Sequence, residues 1–456
     1  MVNPMQIAIK TMGCRLNHAE TATIAGALEY EGHAIVPDGG PCDVLVLHTC
    51  TVTAAAQRES MRLARAARRA GAGGVVMSGC TTSVVGPERI LEGGVDAVVE
   101  KKSGQVHVGA PGSSAEAVAR IVAAALSGNG FRPYLPRFAS TRAPVKVQDG
   151  CDFRCAYCIV PDARGAPRSR PLADVLAEIA GLAAQGFREI VLTGVNVACW
   201  RDGEAGLADL ARAASSVPGV ARLRLSSIEP GTAERDLVDL MAAAESRLCR
   251  TLHYPLQSGD AGVLKRMRRR YTPEQYAAAV EDALARVPRL GLGADVITGF
   301  PGEDDAAFEA SVRMIERFHF SNLHVFPFSE RPGTPAASMD GAVPVHVRRE
   351  RAQRLIALGD EKRRQFAESF VGGEAEVLVE RVDGDGVGCG WSSEYVEVRI
   401  EGLSPEDVGR LIAIRVLAIG AGDDAGIAGG RACLWAHRED AESSPRPSGE
   451  GRSGVN

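Results

Sequence analysis

Three cysteines within eight residues, Cys151, Cys155 and Cys158, constrain this 456-residue chain more than any other feature. They follow directly on an apolar run at 145–148, the first of six strand candidates; the others lie at 189–193, 222–226, 251–256, 294–298 and 322–328. Each is followed by a helical segment, and the alternation continues to about residue 370. Six βα units exceed a mononucleotide-binding domain and fall short of a closed eight-fold barrel. An open, partial (β/α)6 TIM-like barrel is expected, with the cysteines on the loop leaving its first strand.

Structural zinc normally takes four ligands, and no fourth Cys or His lies near this C-x3-C-x2-C group. Three thiolates suit a 4Fe–4S cluster whose fourth iron stays open to a donor atom from a substrate or cofactor. The competing reading is three thiols packed in a loop with no ligand. The cysteine count of 11 is odd, no basic-then-apolar leader opens the chain, and no run approaches the ~20 apolar residues of a membrane helix. A reducing, cytoplasmic setting without membrane attachment is therefore expected.

A second triad is spread out. Cys14, Cys50 and Cys80 each end a strand candidate, at 6–10, 43–48 and 74–78, with helical stretches at 20–30 and 54–70 between them. Parallel strands bring their carboxyl ends to one sheet edge, so these cysteines could share a metal centre, with Gly13 and Gly79 leaving room for it. Unrelated buried thiols are the alternative. Cys42, Cys199, Cys249, Cys389 and Cys433 have no partner spacing and read as small buried side chains.

The fold class expected is α/β: an amino-terminal parallel domain (1–130), a linker (131–143), the partial barrel (144–370) and a small all-β, OB-like module (371–437). A tail rich in Ser, Gly, Pro and charge (438–456) is expected to be disordered. Net charge is −5, but residues 371–437 hold 5 Arg against 12 Asp and Glu, leaving residues 1–370 at +3. Nucleic-acid contact is therefore sought outside the β module. The densest basic stretch, Lys265, Arg266, Arg268, Arg269 and Arg270 with Tyr271, suits an RNA backbone and a stacked base. Basic stretches at 58–69 and 348–364 read as solvated helix faces. No phosphate-loop motif is present.

With these features in order, the sequence resembles the radical S-adenosylmethionine methylthiotransferases over nearly its whole length. Cys14, Cys50 and Cys80 match that family's auxiliary-cluster cysteines. Cys151, Cys155 and Cys158 match the radical-generating cluster, with Tyr157 at the usual aromatic position. The β module looks like a TRAM domain. The stretches 145–151, 253–259 and 324–335 look like the tRNA enzymes that act on N6-threonylcarbamoyladenosine at position 37. Two departures stand out: His48 where Asn is usual and Asp162 where Tyr is usual.

The resemblance implies two 4Fe–4S clusters and two uses of S-adenosylmethionine, as methyl donor to sulfur at the auxiliary cluster and as source of a 5′-deoxyadenosyl radical. That radical would remove hydrogen from adenine C2, where a methylthio group is inserted. A sulfur donor and an electron donor such as flavodoxin or ferredoxin are implied partners. Barrel logic places S-adenosylmethionine at the strand ends, near Thr193, Gly194, Ser227, Glu229, Gln257, Gly299 and Phe300; rim capping is the alternative for each. The same chemistry on isopentenyladenosine tRNA or a ribosomal-protein aspartate, and a non-catalytic Fe–S electron-transfer or RNA-binding scaffold, are the other readings.

Overall fold

The computed structural model describes residues 3–127, 134–138, 140–231, 235–243, 245–421 and 432–437. The tail expected to be disordered, and linker positions 131–133 and 139, lie outside the described residues.

Strands β1 (Gln6–Thr11), β2 (Ala34–Val36), β3 (Cys42–Thr49), β4 (Ala72–Gly79), β5 (Ala97–Val99) and β6 (Val106–Val108) form one sheet in the order β2-β1-β3-β4-β5-β6. All its pairs are parallel except β5/β6. Successive side chains of a strand face opposite sides, so β3 reads as a continuous apolar run only because helices cover both faces. Val44 and Val46 pack with Ile24 and Leu28 of the helix Arg15–Tyr30, while Leu45 and Leu47 pack with Ala64 and Ala67 of the helix Ala54–Arg69.

The second unit has six parallel strands: β7 (Arg142–Lys146), β8 (Glu189–Thr193), β9 (Arg222–Leu225), β10 (Thr251–His253), β11 (Gly291–Thr298) and β12 (Asn322–Pro327). They run as two ladders, β9-β8-β7 and β10-β11-β12, joined by a Leu223–Leu248 bridge and by Ile228 N donating to His253 O at 3.0 Å. The result is an open row of six βα units around one apolar core.

The carboxy-terminal sheet contains β13 (Glu374–Val382), β14 (Gly388–Ser392), β15 (Glu397–Glu401), β16 (Leu411–Arg415), β17 (Ala418–Ala421) and β18 (Ala432–His437), ordered β16-β13-β14-β15-β18-β17. Three of these strands were not legible as apolar runs. β14 carries two glycines, and a Cβ at Gly390 would sit 2.1 Å from Leu378 O, so close strand approach replaces the β-branched signal there. The helix Val345–Glu368 packs Phe366 into this module's core, joined by Phe370 just beyond it.

Arginines of the barrel lock the β module in place. Arg222 and Arg224 are buried on β9 and share one carboxylate, Glu189 of β8, at 2.6 and 2.7 Å. Their remaining N–H groups donate to the carbonyls of Trp391 (2.7 Å) and Ser392 (3.0 Å). Burial alone would raise the Glu189 carboxyl; Arg224 and Arg222 hold it at about 2. Its contribution, about 3 kcal/mol, is complete above the usual carboxyl value of 4.5 and is lost as the pH falls toward 2. Glu189→Ala leaves two buried guanidiniums without a carboxylate, a loss of about 3–5 kcal/mol. The variant is expected to unfold at a lower temperature at pH 7 and to lose part of its acid dependence, followed by tryptophan fluorescence. An unchanged profile would show that the carboxylate does not hold this junction.

Candidate active site

The amino-terminal triad gathers at one edge of its sheet. Thr11 pairs with His48 and Thr49 with Gly79, so Cys14, Cys50 and Cys80 leave the ends of three adjacent strands, β1, β3 and β4. The backbone is drawn in tightly. A Cβ at Gly13 would lie 2.6 Å from Cys50 Cβ and 2.9 Å from its Sγ, and one at Gly79 would lie 2.4 Å from Thr49 O. Both glycines have positive φ, +103° and +89°, so the turns need glycine for conformation as well as for space. Cys14 is exposed while Cys50 and Cys80 are buried, giving a donor set with one open side. That set fits a 4Fe–4S cluster held by three thiolates.

The other triad lies on a loop pinned at several points. Cys158 N donates to Cys155 O at 3.0 Å, Ala156 N to Met267 O at 2.9 Å, and Ala336 N to Ala156 O at 2.8 Å. Burial pushes the Cys158 thiol up to about 12. A bound cation would offset that penalty and hold the sulfur as thiolate. Arg269 Nη1 donates to Cys155 Sγ at 3.2 Å and to Tyr157 Oη at 3.3 Å, while Nη2 pairs with Glu229.

Beside Cys14 lies a cavity of about 470 Å³ bordered by all three units, including Ser227, His253, Asp295, His324 and Tyr395. Thr193 and Gly194 also line it. Its wall is polar: His324 Nδ1 lies 3.1 Å and His253 Nε2 3.2 Å from Asp295 Oδ1. Arg363 donates to Asn322 Oδ1 at 3.3 Å, so the Asn322 amide nitrogen faces His324 Nε2 at 2.8 Å. His324 Nε2 is then the acceptor and Nδ1 carries the proton toward Asp295, a hydrogen-bonded chain and not a set of lone pairs arranged for a metal. Burial alone would raise the Asp295 carboxyl; the two imidazoles hold it well below its usual value.

The expected cofactor residues therefore divide. Thr193, Gly194 and Ser227 open onto the cavity. Tyr157 and Glu229 meet through Arg269 beside Cys155. Gln257, at φ +62°, is tied by its backbone to Asp295 and Ile297. Two expectations are corrected. The space a Gly299 Cβ would take is filled by Arg348, whose Cγ lies 2.2 Å from it, and Phe300 is wholly buried between Tyr157 and Phe328. Phe300 supports Tyr157 from behind, and neither residue offers a side chain to a ligand.

Residues 145–315 match the Radical SAM superfamily, and residues 6–100 match the Uncharacterized protein family UPF0004. Among curated relatives, the threonylcarbamoyladenosine tRNA methylthiotransferase MtaB of Bacillus subtilis is 33% identical over 91% of this chain and 94% of its own length. A tRNA-2-methylthio-N(6)-dimethylallyladenosine synthase of Cereibacter sphaeroides is 34% identical over 92% and 97%. The chain belongs to the radical S-adenosylmethionine methylthiotransferase family. Its cofactors are S-adenosylmethionine and two 4Fe–4S clusters. The fold is shared with TsrM, a radical S-adenosylmethionine methyltransferase of Kitasatospora setae (TM-score 0.53, 18% identity, 73% of this chain and 76% of that one).

In this methylthiotransferase the basic stretch at 265–271 is not uniformly available to RNA. Arg269 is buried against Cys155 and Glu229, and Arg266 donates to Pro301 O at 2.9 Å and pairs with Asp340 at 2.7 Å. Tyr271 is buried, with its hydroxyl donating to Pro255 O at 2.5 Å and Leu256 O at 3.0 Å, so its ring cannot stack on a base. Lys265, Arg268 and Arg270 remain exposed. The basic 348–364 stretch is partly internal too: Arg348 donates to Val343 O and Phe328 O, and Arg351 to Glu303. Sequence pattern did not reveal these roles, because a buried arginine and a solvated one look alike in a charge run. Of the two departures, Asp162 is exposed, whereas His48 is buried between Ser78 Oγ (2.8 Å) and Glu20 Oε2 (3.1 Å).

Tyr271→Phe removes a buried donor and should lower stability by about 1 kcal/mol, read as thermal midpoint, with RNA affinity unchanged. A drop in affinity at full stability would return Tyr271 to the RNA surface.

Proposed function

We propose that this enzyme methylthiolates C2 of N6-threonylcarbamoyladenosine in tRNA. Cys14, Cys50 and Cys80 hold the auxiliary cluster, and Cys151, Cys155 and Cys158 hold the cluster that meets S-adenosylmethionine. Bound there, the clusters supply an electron to S-adenosylmethionine and sulfur for transfer, chemistry that no side chain can perform at an unactivated C–H. The chain's own part is positioning. Thr193, Gly194 and Ser227 form the cavity wall on the barrel side, Arg269 fixes Tyr157 and Glu229 beside Cys155, and the β module closes the cavity with Tyr395. Enclosure keeps water from a reactive radical and holds the reacting atoms in register.

Overall similarity does not choose the nucleoside, since relatives named for threonylcarbamoyl- and dimethylallyladenosine are equally close. The cavity wall supports the choice. His253, Asp295 and His324 face it, and Arg15, donating to Tyr395 Oη at 3.1 Å, has no carboxylate partner among the described residues. A substituent with a hydroxyl, a urea-like carbonyl and a carboxylate satisfies such a wall. A dimethylallyl group would desolvate this wall, offering Arg15 no anion and the remaining groups no further hydrogen bond. Lys265, Arg268 and Arg270 are the proposed tRNA contacts.

The deciding measurement is mass spectrometry of nucleosides from tRNA of a host lacking this gene, with and without the gene restored. Gain of 2-methylthio-N6-threonylcarbamoyladenosine is expected; gain of the dimethylallyl product would overturn the substrate assignment. Arg15→Gln should lower turnover on threonylcarbamoyl tRNA and raise KM, with unproductive 5′-deoxyadenosine formation retained. Cys14→Ala with Cys50→Ala should remove about half the iron and abolish methylthiolation while leaving S-adenosylmethionine cleavage. Loss of all iron would contradict two separate sites.

A further inference from the structure

Two buried arginines cross from the barrel into the amino-terminal unit and end beside the auxiliary cysteines. Arg164, on the short helix Val160–Arg164 that follows Cys158, donates through Nε to Cys80 Sγ at 3.2 Å. The rest of its guanidinium is fixed by Asp149 (2.8 Å), Glu20 (3.1 Å) and Asn17 (2.7 Å). Arg331, on the loop after β12, is 3% exposed and donates to Thr51 Oγ1 and Gln57 Oε1, both at 2.7 Å. Thr51 adjoins Cys50. Both of those partners are neutral, Arg331 Nε is buried with no acceptor, and no carboxylate pairs with it among the described residues.

Charge at this junction does not balance without a further anion. The buried cations Lys101 and Arg164 face the buried carboxylates Glu20 and Asp149, and the half-buried Lys146 adds one positive charge. Arg331 adds a second. Uncompensated buried charge is strongly unfavourable, so an anion at this junction would be stabilising. The three thiolates of Cys14, Cys50 and Cys80 are the anionic groups within reach.

We propose that Arg164 and Arg331 are positioning residues for the auxiliary cluster: they supply the positive charge that balances its thiolates and raise its reduction potential, so the cluster site is completed only when the barrel is docked. This rests on the assignment of Cys14, Cys50 and Cys80 as its ligands. A hydrogen bond or a cation beside a ligating sulfur stabilises the reduced cluster, which carries one more electron, relative to the oxidised one. The loop carrying Arg331 also receives its register from the other triad, through Ala336 N on Ala156 O at 2.8 Å, so one segment touches both cluster sites.

The test uses full-length protein carrying Cys151→Ala, Cys155→Ala and Cys158→Ala, so that the auxiliary cluster alone is reconstituted under anaerobic conditions. Iron content is measured first; absence of iron in this background would mean that the ligand assignment has failed and would overturn the inference with it. Arg331→Met and Arg164→Met are then compared by redox titration followed by electron paramagnetic resonance. The expected result is a lower midpoint potential in each, largely restored in Arg331→Lys and Arg164→Lys. Where a Met variant does not retain iron, the comparison is made with Gln in its place, and a lowered midpoint is again the supporting result. A midpoint unchanged by loss of either guanidinium, at full iron content, would overturn the proposal. A merely structural arginine would lower the melting temperature without moving the potential.

Discussion

A carboxylate inside a helix, fully buried at a domain junction, is the constraint on which the rest of this structure depends. Glu20 lies in the helix Arg15–Tyr30 and is 1% exposed. Burial alone would raise its carboxyl, yet Arg164, Lys101 and Lys146 outweigh that effect and hold it well below its usual value. These cations come from different parts of the chain: Lys101 from the amino-terminal unit, Lys146 from the end of β7, and Arg164 from the loop region after Cys158. Taking any one away strands a buried charge. The amino-terminal unit and the barrel are therefore fixed relative to each other by electrostatics, and apolar packing alone would allow sliding that this network forbids.

The cavity follows from that docking. Cys14 reaches it from the amino-terminal sheet edge, Thr193, Gly194 and Ser227 reach it from barrel strand ends, and Tyr395 closes it from the β module. No single unit encloses the space. A reaction that must bring a sulfur-bearing group and a radical source to one carbon needs both delivered to a common volume with water kept out. Sharing the walls among three units lets each contribute side chains to one space.

Much of the fold was legible in the sequence because the relevant signals are local. Cys151, Cys155 and Cys158 announce themselves by spacing, and Cys14, Cys50 and Cys80 by following strands whose apolar runs are unbroken. The barrel strands were legible for the same reason, within a few residues at their ends. What could not be read was burial of charge. Arg269 and Tyr271 sit in a dense basic run and carry no local mark of being internal, and their roles depend on Cys155, Glu229 and Pro255, up to 114 residues away in sequence. Arg331 and Thr51 are 280 residues apart and meet only through docking. Gly299 illustrates the opposite failure: a glycine at a strand end suggests room for a ligand, but here the room is taken by the side chain of Arg348.

The acidic character of the β module also finds a structural account. Glu380 accepts from Arg142 Nε at 2.6 Å and from Trp391 Nε1 at 3.1 Å, and Arg142 lies 5.6 Å from the Trp391 ring centroid. Tyr395 stacks on Trp391 at 4.6 Å and meets Arg15, Arg142 and Arg224 on its ring. The module thus turns an aromatic and acidic face toward an arginine-rich barrel surface, where opposite charges and π-faces hold it in place. Its negative charge is partly spent on attachment. A polyanionic substrate would then meet the exposed basic positions of the barrel, such as Lys265, Arg268 and Arg270. Through Tyr395 the module also forms part of the cavity wall.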